Sequence, residues 1–256
     1  MTEIQIIGHS HTNAVRGALR RRPPQDQQRV EVMHVLVEVP DKNFSVLESD
    51  GRRRMHPAIR HKLERARPGG AAVFSQLGGN IHHFVGLFEH PRPFDFMLPD
   101  EPALPLLAGA QTVPYGYMAA VMRGRLTGDV ALLAALRNSA PAGLRHLESP
   151  PPVEDNEYCQ ANLPPAFLKG DYQGLKVASP AFRYKLWRLH GEILRRECAR
   201  LDIGFVPCPP ASMDARGFLR RDLYADPLHG NELYGELVLQ QIAALRHADA
   251  SAALNA

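Results

Sequence analysis

Two residues at opposite ends of the chain, Ser10 and His229, are of the types that act together in acyl transfer. A serine hydroxyl is a poor nucleophile until a neighbouring imidazole removes its proton, and the imidazole works best when a carboxylate fixes its tautomer. Asp226 precedes His229 by three residues. In a tight turn this spacing lets the carboxylate accept the Nδ1 proton, which leaves Nε2 free to face a serine. These residues therefore predict a nucleophile, its base and the acid that orients the base.

Acyl transfer also needs hydrogen-bond donors aimed at the oxygen that becomes negatively charged. Asn80 follows a double glycine, and its side-chain amide is one candidate donor, with Gly79 beside it in the same oxyanion hole. The backbone N–H of Ser10, at the start of a predicted helix, is a second candidate. The three polar segments together predict one site for ester chemistry.

Each segment taken alone also has a structural interpretation. Asp226 before Pro227 is a favourable helix N-cap followed by proline at the first helical position, and Ser10 or Thr12 could cap the first helix. The double glycine before Asn80 could form an ordinary turn. The order of the three segments along the chain favours the catalytic interpretation.

Alternating strands and helices must bring these segments together. A first strand is predicted in the β-branched run that ends at Gly8, and a helix is predicted over 13–19. A second strand is predicted over 30–39, where the apolar run is too dense for one wetted face, and a third over 71–76. The remaining predicted elements are a helix over 117–136, a strand over 143–147, a helix over 181–201, a strand over 203–206 and a helix over 233–245. Polar loops follow the strands, so the site is expected at the carboxyl edge of a parallel sheet.

This alternation predicts an α/β fold with three layers, α/β/α and flavodoxin-like, around a central parallel sheet. The length suits a single domain over 1–256. A proline-rich and aromatic stretch at about 88–116 predicts an insertion, and a second loop-rich segment is predicted at about 153–180. We expect both to form walls of a substrate pocket. The aromatic residues of the first are expected to pack against the domain rather than to touch ligand: Phe94, Phe96, Tyr115 and Tyr117.

The composition is that of an ordinary globular protein, with 45% hydrophobic and 22% charged residues. The net charge of +3 is small, and the arginine clusters at 20–22 and 52–54 lack interleaved aromatics, so no nucleic-acid partner is expected. No transmembrane run is present, and no membrane partner is expected.

Three widely spaced cysteines predict free thiols, and the N-terminus has no leader-like segment. Both observations favour a cytoplasmic location. The expected substrate is a small-molecule or carbohydrate ester, and no cofactor is expected.

The polar segments resemble the sequence blocks of the SGNH hydrolases, also called GDSL esterases. The Gly-Asp-Ser block of that family matches Gly8-His9-Ser10, its Gly-x-Asn block matches Gly78-Gly79-Asn80, and its Asp-x-x-His block matches Asp226-Pro227-Leu228-His229. The resemblance spans nearly the whole chain. It implies an esterase or deacetylase that forms an acyl-enzyme on Ser10, with Asn80 as a second oxyanion donor. It also implies that His229 is the base and that Asp226 orients it.

Two departures from the family pattern stand out. His9 replaces the usual aspartate of the first block, which is not the nucleophile. The family's second block supplies a glycine N–H to the oxyanion hole, but no glycine follows the predicted second strand until Gly51. A backbone N–H near Asp41 to Asn43, or a loop that folds back to Gly51, is expected to replace it.

The histidines leave a different function open. His9, His11 and His82, together with His83 and with the acid and base of the third segment, could instead hold a metal ion for phosphoester hydrolysis. The run Gly-His-Ser-His resembles a terminal motif of calcineurin-like phosphoesterases, but the chain lacks the Asp-x-His that precedes it there. We expect no metal and interpret His9, His11 and His82 as contacts to substrate.

The same histidines also have purely structural interpretations. His82 and His83 could form a helix N-terminal turn with one residue exposed, and His11 could face solvent. An acyltransferase using the same serine and histidine, or a catalytically silent binding module, are further alternatives to the hydrolase.

Overall fold

The computed structural model describes residues 2–65, 71–140, 143–168 and 172–254. In chain order its strands are β1 (Ile4–Gly8), β2 (Val30–His34), β3 (Ser45–Leu47), β4 (Arg53–Met55), β5 (Ala72–Gln76), β6 (Phe94–Asp95), β7 (Gln111–Thr112), β8 (Arg145–Leu147) and β9 (Gly204–Val206). Its helices are α1 (Thr12–Arg20), α2 (Pro24–Gln27), α3 (Val35–Glu38), α4 (Pro57–Arg65), α5 (Ile81–Gly86), α6 (Tyr115–Ser139), α7 (Asn156–Ala161), α8 (Pro180–Arg200) and α9 (Glu232–Leu254).

Five strands form a parallel sheet in the order β2-β1-β5-β8-β9. The chain passes from β1 to β2 on one side and later returns to β5 on the other side of β1. This is the flavodoxin-like order, and the loops that leave β1 and β5 at the point of reversal diverge and open a crevice. The crevice lies at the carboxyl ends of the strands, as expected for the site.

Helices cover both faces of the sheet because each central strand is apolar on both faces. Ile7 and Val73 point into a core shared with α4, α6 and α8. Ile6 and Phe74, their immediate neighbours in β1 and β5, point into a second core shared with α1 and α9. The predicted three-layer α/β/α fold is confirmed.

The first and last helices pack directly against each other. Gly235 of α9 lies so close to α1 that a Cβ atom there would stand 2.1 Å from the carbonyl oxygen of Ala14. Arg22, just after α1, pairs with Glu236 of α9. This contact joins the two ends of the chain beside the sheet.

The predicted insertion at 88–116 contains β6 and β7, which pair with each other in parallel. A buried ion pair ties it to α8, because Lys185 Nζ lies 2.8 Å from Asp95 Oδ2 and 2.8 Å from the carbonyl oxygen of Pro105. Asp95 also accepts hydrogen bonds from the backbone N–H groups of Phe96 and Leu107. Both charges are therefore compensated, as burial requires.

The aromatic residues of the insertion divide between core and surface. Phe96 is fully buried, which confirms its predicted packing role. Tyr117 is 61% exposed, so the prediction that it packs against the domain is wrong.

The second loop-rich segment, at 153–180, is held by a buried arginine of α8. The Arg183 guanidinium donates to the carbonyl oxygens of Val153, Glu154 and Ala178 and to the side chain of Asn156. The segment also contains α7, a short helix that the sequence did not predict.

The predicted strand over 30–39 is wrong in its second half. β1 ends at Gly8, which pairs with His34, so no neighbouring backbone is available beyond that residue. The chain turns into α3, where Val39 N–H donates to the carbonyl oxygen of Val35. β2 lies at the edge of the sheet and is only partly buried, in contrast to the expected buried strand.

The helices predicted over 117–136 and 181–201 and the strand over 203–206 are confirmed with small changes at their ends. The β3–β4 hairpin and α4 fall in a basic stretch for which no element was predicted. Within the described part of the chain, no helix combines the length and the apolar character that crossing a bilayer requires.

Candidate active site

The structure brings Ser10, His229 and Asp226 into one hydrogen-bonded relay. The Oγ of Ser10 lies 2.7 Å from Nε2 of His229. The Nδ1 of His229 lies 2.9 Å from each carboxylate oxygen of Asp226. When Asp226 accepts the Nδ1 proton, Nε2 is left as an acceptor for the serine proton. The side chains of His229 and Asp226 remain 21% and 30% exposed, so the relay is open to a ligand.

Asn80 approaches the same serine from the opposite side of the crevice. Its Nδ2 donates to Ser10 Oγ at 3.2 Å. Asn80 occupies the N-cap position of α5, but its side chain makes no capping hydrogen bond there. The amide is thus turned toward the serine rather than toward the helix.

Ser10 lies in the turn between β1 and α1. Thr12 Oγ1 and the Thr12 N–H both donate to the carbonyl oxygen of His9, which closes the turn. No side chain caps α1, so the capping role considered for Ser10 and Thr12 is wrong. The Ser10 hydroxyl is left to His229 and Asn80.

Asp226 and His229 lie in a loop fastened to the start of α9. Asn231 Nδ2 donates to the carbonyl oxygens of Asp222 and Tyr224, while its Oδ1 accepts from the N–H groups of Leu233 and Tyr234. Because α9 begins only at Glu232, the interpretation of Asp226 as a helix cap is wrong.

The carboxylate of Asp226 is held in its charged form. Burial would raise its pKa, but hydrogen bonds from the His229 ring and from the N–H groups of Leu228 and His229 outweigh burial and lower the pKa below its usual value. A charged Asp226 beside Nδ1 is the state that would stabilise an imidazolium at His229.

The turn that carries Asn80 is clamped between two elements. On one side, the His190 ring of α8 donates through Nε2 to the carbonyl oxygen of Gly78 at 2.9 Å. On the other, the His11 ring lies against Gly79, where a Cβ atom would stand 2.4 Å from its Cδ2. Only glycine fits at position 79. His190 was missed by the sequence analysis because it lies in an amphipathic helix without any local motif.

Three of the backbone donors expected after the second strand are engaged elsewhere. Lys42 N–H donates to the carbonyl oxygen of Val39, and Asn43 N–H donates to Asp41 Oδ1 at 3.1 Å. Gly51 lies in the β3–β4 hairpin, where its N–H donates to the carbonyl oxygen of Glu48. The expectation that one of these donors replaces the family's glycine is therefore wrong for the N–H groups of Lys42, Asn43 and Gly51, and for the Asp41 N–H it stays a prediction. Asn80 Nδ2 and the Ser10 N–H remain as candidate oxyanion donors, and the place of Gly79 in the oxyanion hole stays a prediction.

Several of the predicted histidines lie inside the protein rather than on its surface. His11, His82 and His83 are 4%, 2% and 4% exposed. The solvent-facing interpretation of His11 and the expectation that one of His82 and His83 is exposed are wrong, because both turns face the core. Their burial also argues against the predicted substrate contacts of His11 and His82. His9 is only partly buried and packs edge-on against Phe44.

These buried rings form two groups of ring contacts, one of which includes the relay histidine. The centroid of the His11 ring lies 5.0 Å from that of His229, and His82 lies 3.9 Å from His83 and 4.9 Å from His190. Burial, reinforced by His229, lowers the pKa of His11 to about 3, and burial lowers that of His190 to about 4. Burial also lowers the pKa values of His82 and His83 well below their usual range. These four rings are neutral near pH 7.

The described residues contain no group of three or more His, Cys, Asp or Glu side chains arranged to hold a metal ion. The three cysteines, Cys159, Cys198 and Cys208, are buried free thiols, as predicted.

An open groove of about 780 Å³ lies beside α5. Phe84 lines it and lies four residues after Asn80, which is about 6 Å along α5. Residues of the insertion and of the start of α6 also line it, among them the exposed Tyr117. Among the described residues that line the groove, Arg92 and Arg125 are positively charged and none is acidic.

Comparisons with known proteins find fold-level likenesses only. No family model matches the chain, and no curated protein matches its sequence. Among solved structures, a carbohydrate acetylesterase from Sinorhizobium meliloti is similar at 14% identity over 96% of this chain and 100% of its own, with a TM-score of 0.40. An alpha/beta hydrolase enzyme from the metagenome of Lake Arreo, Spain, is 13% identical over 95% and 94%, with a TM-score of 0.40. A GDSL-like lipase from Bacteroides thetaiotaomicron is 12% identical over 94% and 88%, with a TM-score of 0.37. We base the functional conclusion on the geometry of the site.

Proposed function

We propose that this protein is a serine-dependent hydrolase of carboxylic esters that works through an acyl-enzyme. The observation that carries the proposal is the relay in which Ser10 Oγ lies 2.7 Å from His229 Nε2 while His229 Nδ1 lies 2.9 Å from Asp226. Relays of this geometry activate serine for nucleophilic attack, whichever fold presents them.

In the first half of the reaction, Ser10 Oγ attacks the ester carbonyl carbon as its proton passes to Nε2 of His229. The charged Asp226 stabilises the imidazolium that forms. The carbonyl oxygen becomes an oxyanion that accepts hydrogen bonds from Asn80 Nδ2 and the Ser10 N–H. Collapse of the tetrahedral intermediate breaks the bond to the alcohol, which takes the proton from Nε2 and leaves Ser10 acylated.

In the second half, a water molecule gives its proton to Nε2 of His229 and attacks the acyl carbon. The second tetrahedral intermediate uses the same oxyanion donors. Its collapse releases the carboxylic acid and returns the proton to Ser10 Oγ. None of these steps requires a metal ion or an organic cofactor.

We place the apolar part of the substrate along the groove beside α5. Support comes from Phe84, which lines the groove about one helical turn after Asn80, and from the exposed aromatic rings of Phe84 and Tyr117 in its lining. The substrate is thus a small-molecule ester with an apolar or ring-shaped body. Turnover of p-nitrophenyl esters of increasing acyl length tests this placement, since an apolar groove favours the longer chains.

A fluorophosphonate probe, followed by peptide mapping, tests the nucleophile. We expect covalent labelling of the wild type at Ser10 and none in Ser10→Ala, because only a serine activated by its histidine attacks the phosphorus. Ser45→Ala, in the exposed β3–β4 hairpin, is the matched control and should label like the wild type. A folded wild-type protein that stays unlabelled at Ser10 would contradict the proposal.

The same relay could pass the acyl group to an alcohol, so the fate of the acyl group must be measured. We expect one equivalent of free carboxylic acid for each ester consumed in water. Ester consumption that depends on an added alcohol and releases little acid would instead identify an acyltransferase.

A further inference from the structure

The side-chain amide of Asn80 carries a hydrogen-bond donor, Nδ2, and an acceptor, Oδ1, and only the donor can stabilise an oxyanion beside Ser10. Its Nδ2 donates to Ser10 Oγ, and its Oδ1 is buried without a hydrogen-bond partner of its own. A flip of the amide would present Oδ1 to the serine and repel an oxyanion instead of stabilising it. Some neighbouring group must therefore select the productive orientation.

His11 is placed to make that selection. It follows the nucleophile directly and is 4% exposed, and within the described part of the chain neither of its ring nitrogens has a hydrogen-bond partner of regular geometry. The ring lies against Gly79, the residue before Asn80, with Nε2 only 2.7 Å from the position a Cβ atom would take there. The backbone of Gly79 and the side chain of Asn80 are both hydrogen-bonding neighbours of this ring, and both raise its pKa against the larger lowering by burial.

The protonation state of His11 suits the role. Burial keeps its pKa at about 3, so the ring is neutral near pH 7 and carries one N–H donor. A neutral ring also adds no positive charge 5.0 Å from His229, where an imidazolium must form during the reaction. The buried donor of His11 and the buried acceptor of Asn80 complement each other.

We infer that His11 is a positioning residue that donates its ring N–H to Asn80 Oδ1 and thereby keeps Nδ2 aimed at the oxyanion. This inference rests on the proposed hydrolase function. It makes His11 necessary for transition-state stabilisation, although the ring does not touch the substrate.

Two substitutions separate hydrogen bonding from space filling. His11→Leu removes the donor, and we expect kcat for a p-nitrophenyl ester to fall about 10- to 100-fold with KM changed less than about threefold, since the interaction acts in the transition state. His11→Gln keeps an N–H donor and should recover most of the lost kcat. His146→Leu, a buried histidine of β8, is the matched control and should keep the wild-type kcat.

A double-mutant cycle with Asn80→Ala distinguishes positioning from a general structural role. If His11 acts through Asn80, His11→Leu causes no further loss of kcat when Asn80 is already alanine. A purely structural effect would lower kcat by the same factor in both backgrounds and would overturn the inference. If His11→Leu fails to fold, His11→Phe keeps a flat ring without an N–H and serves in the same cycle.

The experiments distinguish an error in the positioning role of His11 from an error in the proposed hydrolase function. A wild type that labels at Ser10 and turns over ester, with His11→Leu equally active, would refute the positioning role and leave the hydrolase intact. A wild type that neither labels nor turns over would refute the hydrolase itself.

Discussion

At the scale of single residues, the candidate chemistry depends on which atoms remain free to act. Asp226 Oδ1 accepts hydrogen bonds from two backbone N–H groups as well as from His229. The carboxylate is therefore held rigidly and charged, and the base is fixed in the tautomer that faces Ser10. Catalytic groups that are held in a fixed orientation lower the activation barrier more than the same groups placed loosely.

Asp226→Asn tests the importance of that charge. The amide can still accept the two backbone hydrogen bonds, so the loop should keep its shape, but it cannot stabilise an imidazolium. We expect kcat to fall on the order of 10³- to 10⁴-fold with little change in KM. Asp222→Asn, whose carboxylate pairs with Arg220 outside the relay, should retain normal kcat. Retention of more than about a tenth of wild-type kcat in Asp226→Asn would argue against the relay.

At the scale of elements, the site depends on the contact between the first and last helices. Ser10 immediately precedes α1, and His229 lies just before α9. The hydrogen bond between them spans 219 residues of sequence. The close approach of α9 to the Ala14 backbone, which glycine at position 235 permits, brings these two segments together.

Gly235→Ala should separate the two helices. The added Cβ would meet backbone atoms of α1, which cannot move aside as a flexible side chain can. We expect a loss of about 1–3 kcal/mol in the free energy of unfolding, measured with urea, together with a lower kcat. Gly124→Ala in α6 meets nothing within 4 Å and should be neutral or stabilising through helix propensity. Equal stability of the two variants would show that the helices do not need this close contact.

At the scale of the whole molecule, the buried histidines make stability depend on pH. The folded-state pKa values of His11 and His146 are lowered to about 3 and that of His190 to about 4, from an ordinary value of 6.5. Between these values the unfolded chain binds more protons than the folded one, so stability is fully present above about pH 6.5 and is lost as the pH falls. At about pH 5 each of the three histidines costs about 2 kcal/mol, and together they approach the stability of a typical domain.

Acid titration of urea unfolding tests this dependence. We expect the urea midpoint to fall steeply between about pH 7 and about pH 5, because the unfolded state gains protons that the core excludes. In His146→Leu the decrease in unfolding free energy over this range should be smaller by about 2 kcal/mol, whereas the exposed His247→Gln should leave it unchanged. A midpoint that does not change with pH would show that the buried rings are already charged or accessible to water.

The sequence by itself was sufficient for the order of elements and for the nature of the polar loops. Strand and helix patterns are local, and so are the glycines that end β1 and β5 in turns. The α/β/α fold and the positions of Ser10 and Asn80 after neighbouring strands could therefore be predicted. The spacing from Asp226 to His229 is also local, and its predicted hydrogen bond is present.

Only the tertiary structure decided where strands end, which side chains are buried and which residues distant in sequence meet. β2 stops at His34 because β1 has no further residue to pair with it, a limit that the apolar run over 30–39 does not contain. The burial of His11 and His82, and the engagement of the Asn43 N–H by Asp41, depend on how loops fold over the sheet. Whether Ser10 meets His229 likewise depends on the packing of α1 against α9. The hydrogen bond between the two side chains spans 219 residues, and it follows from the packing of whole helices and not from any local pattern.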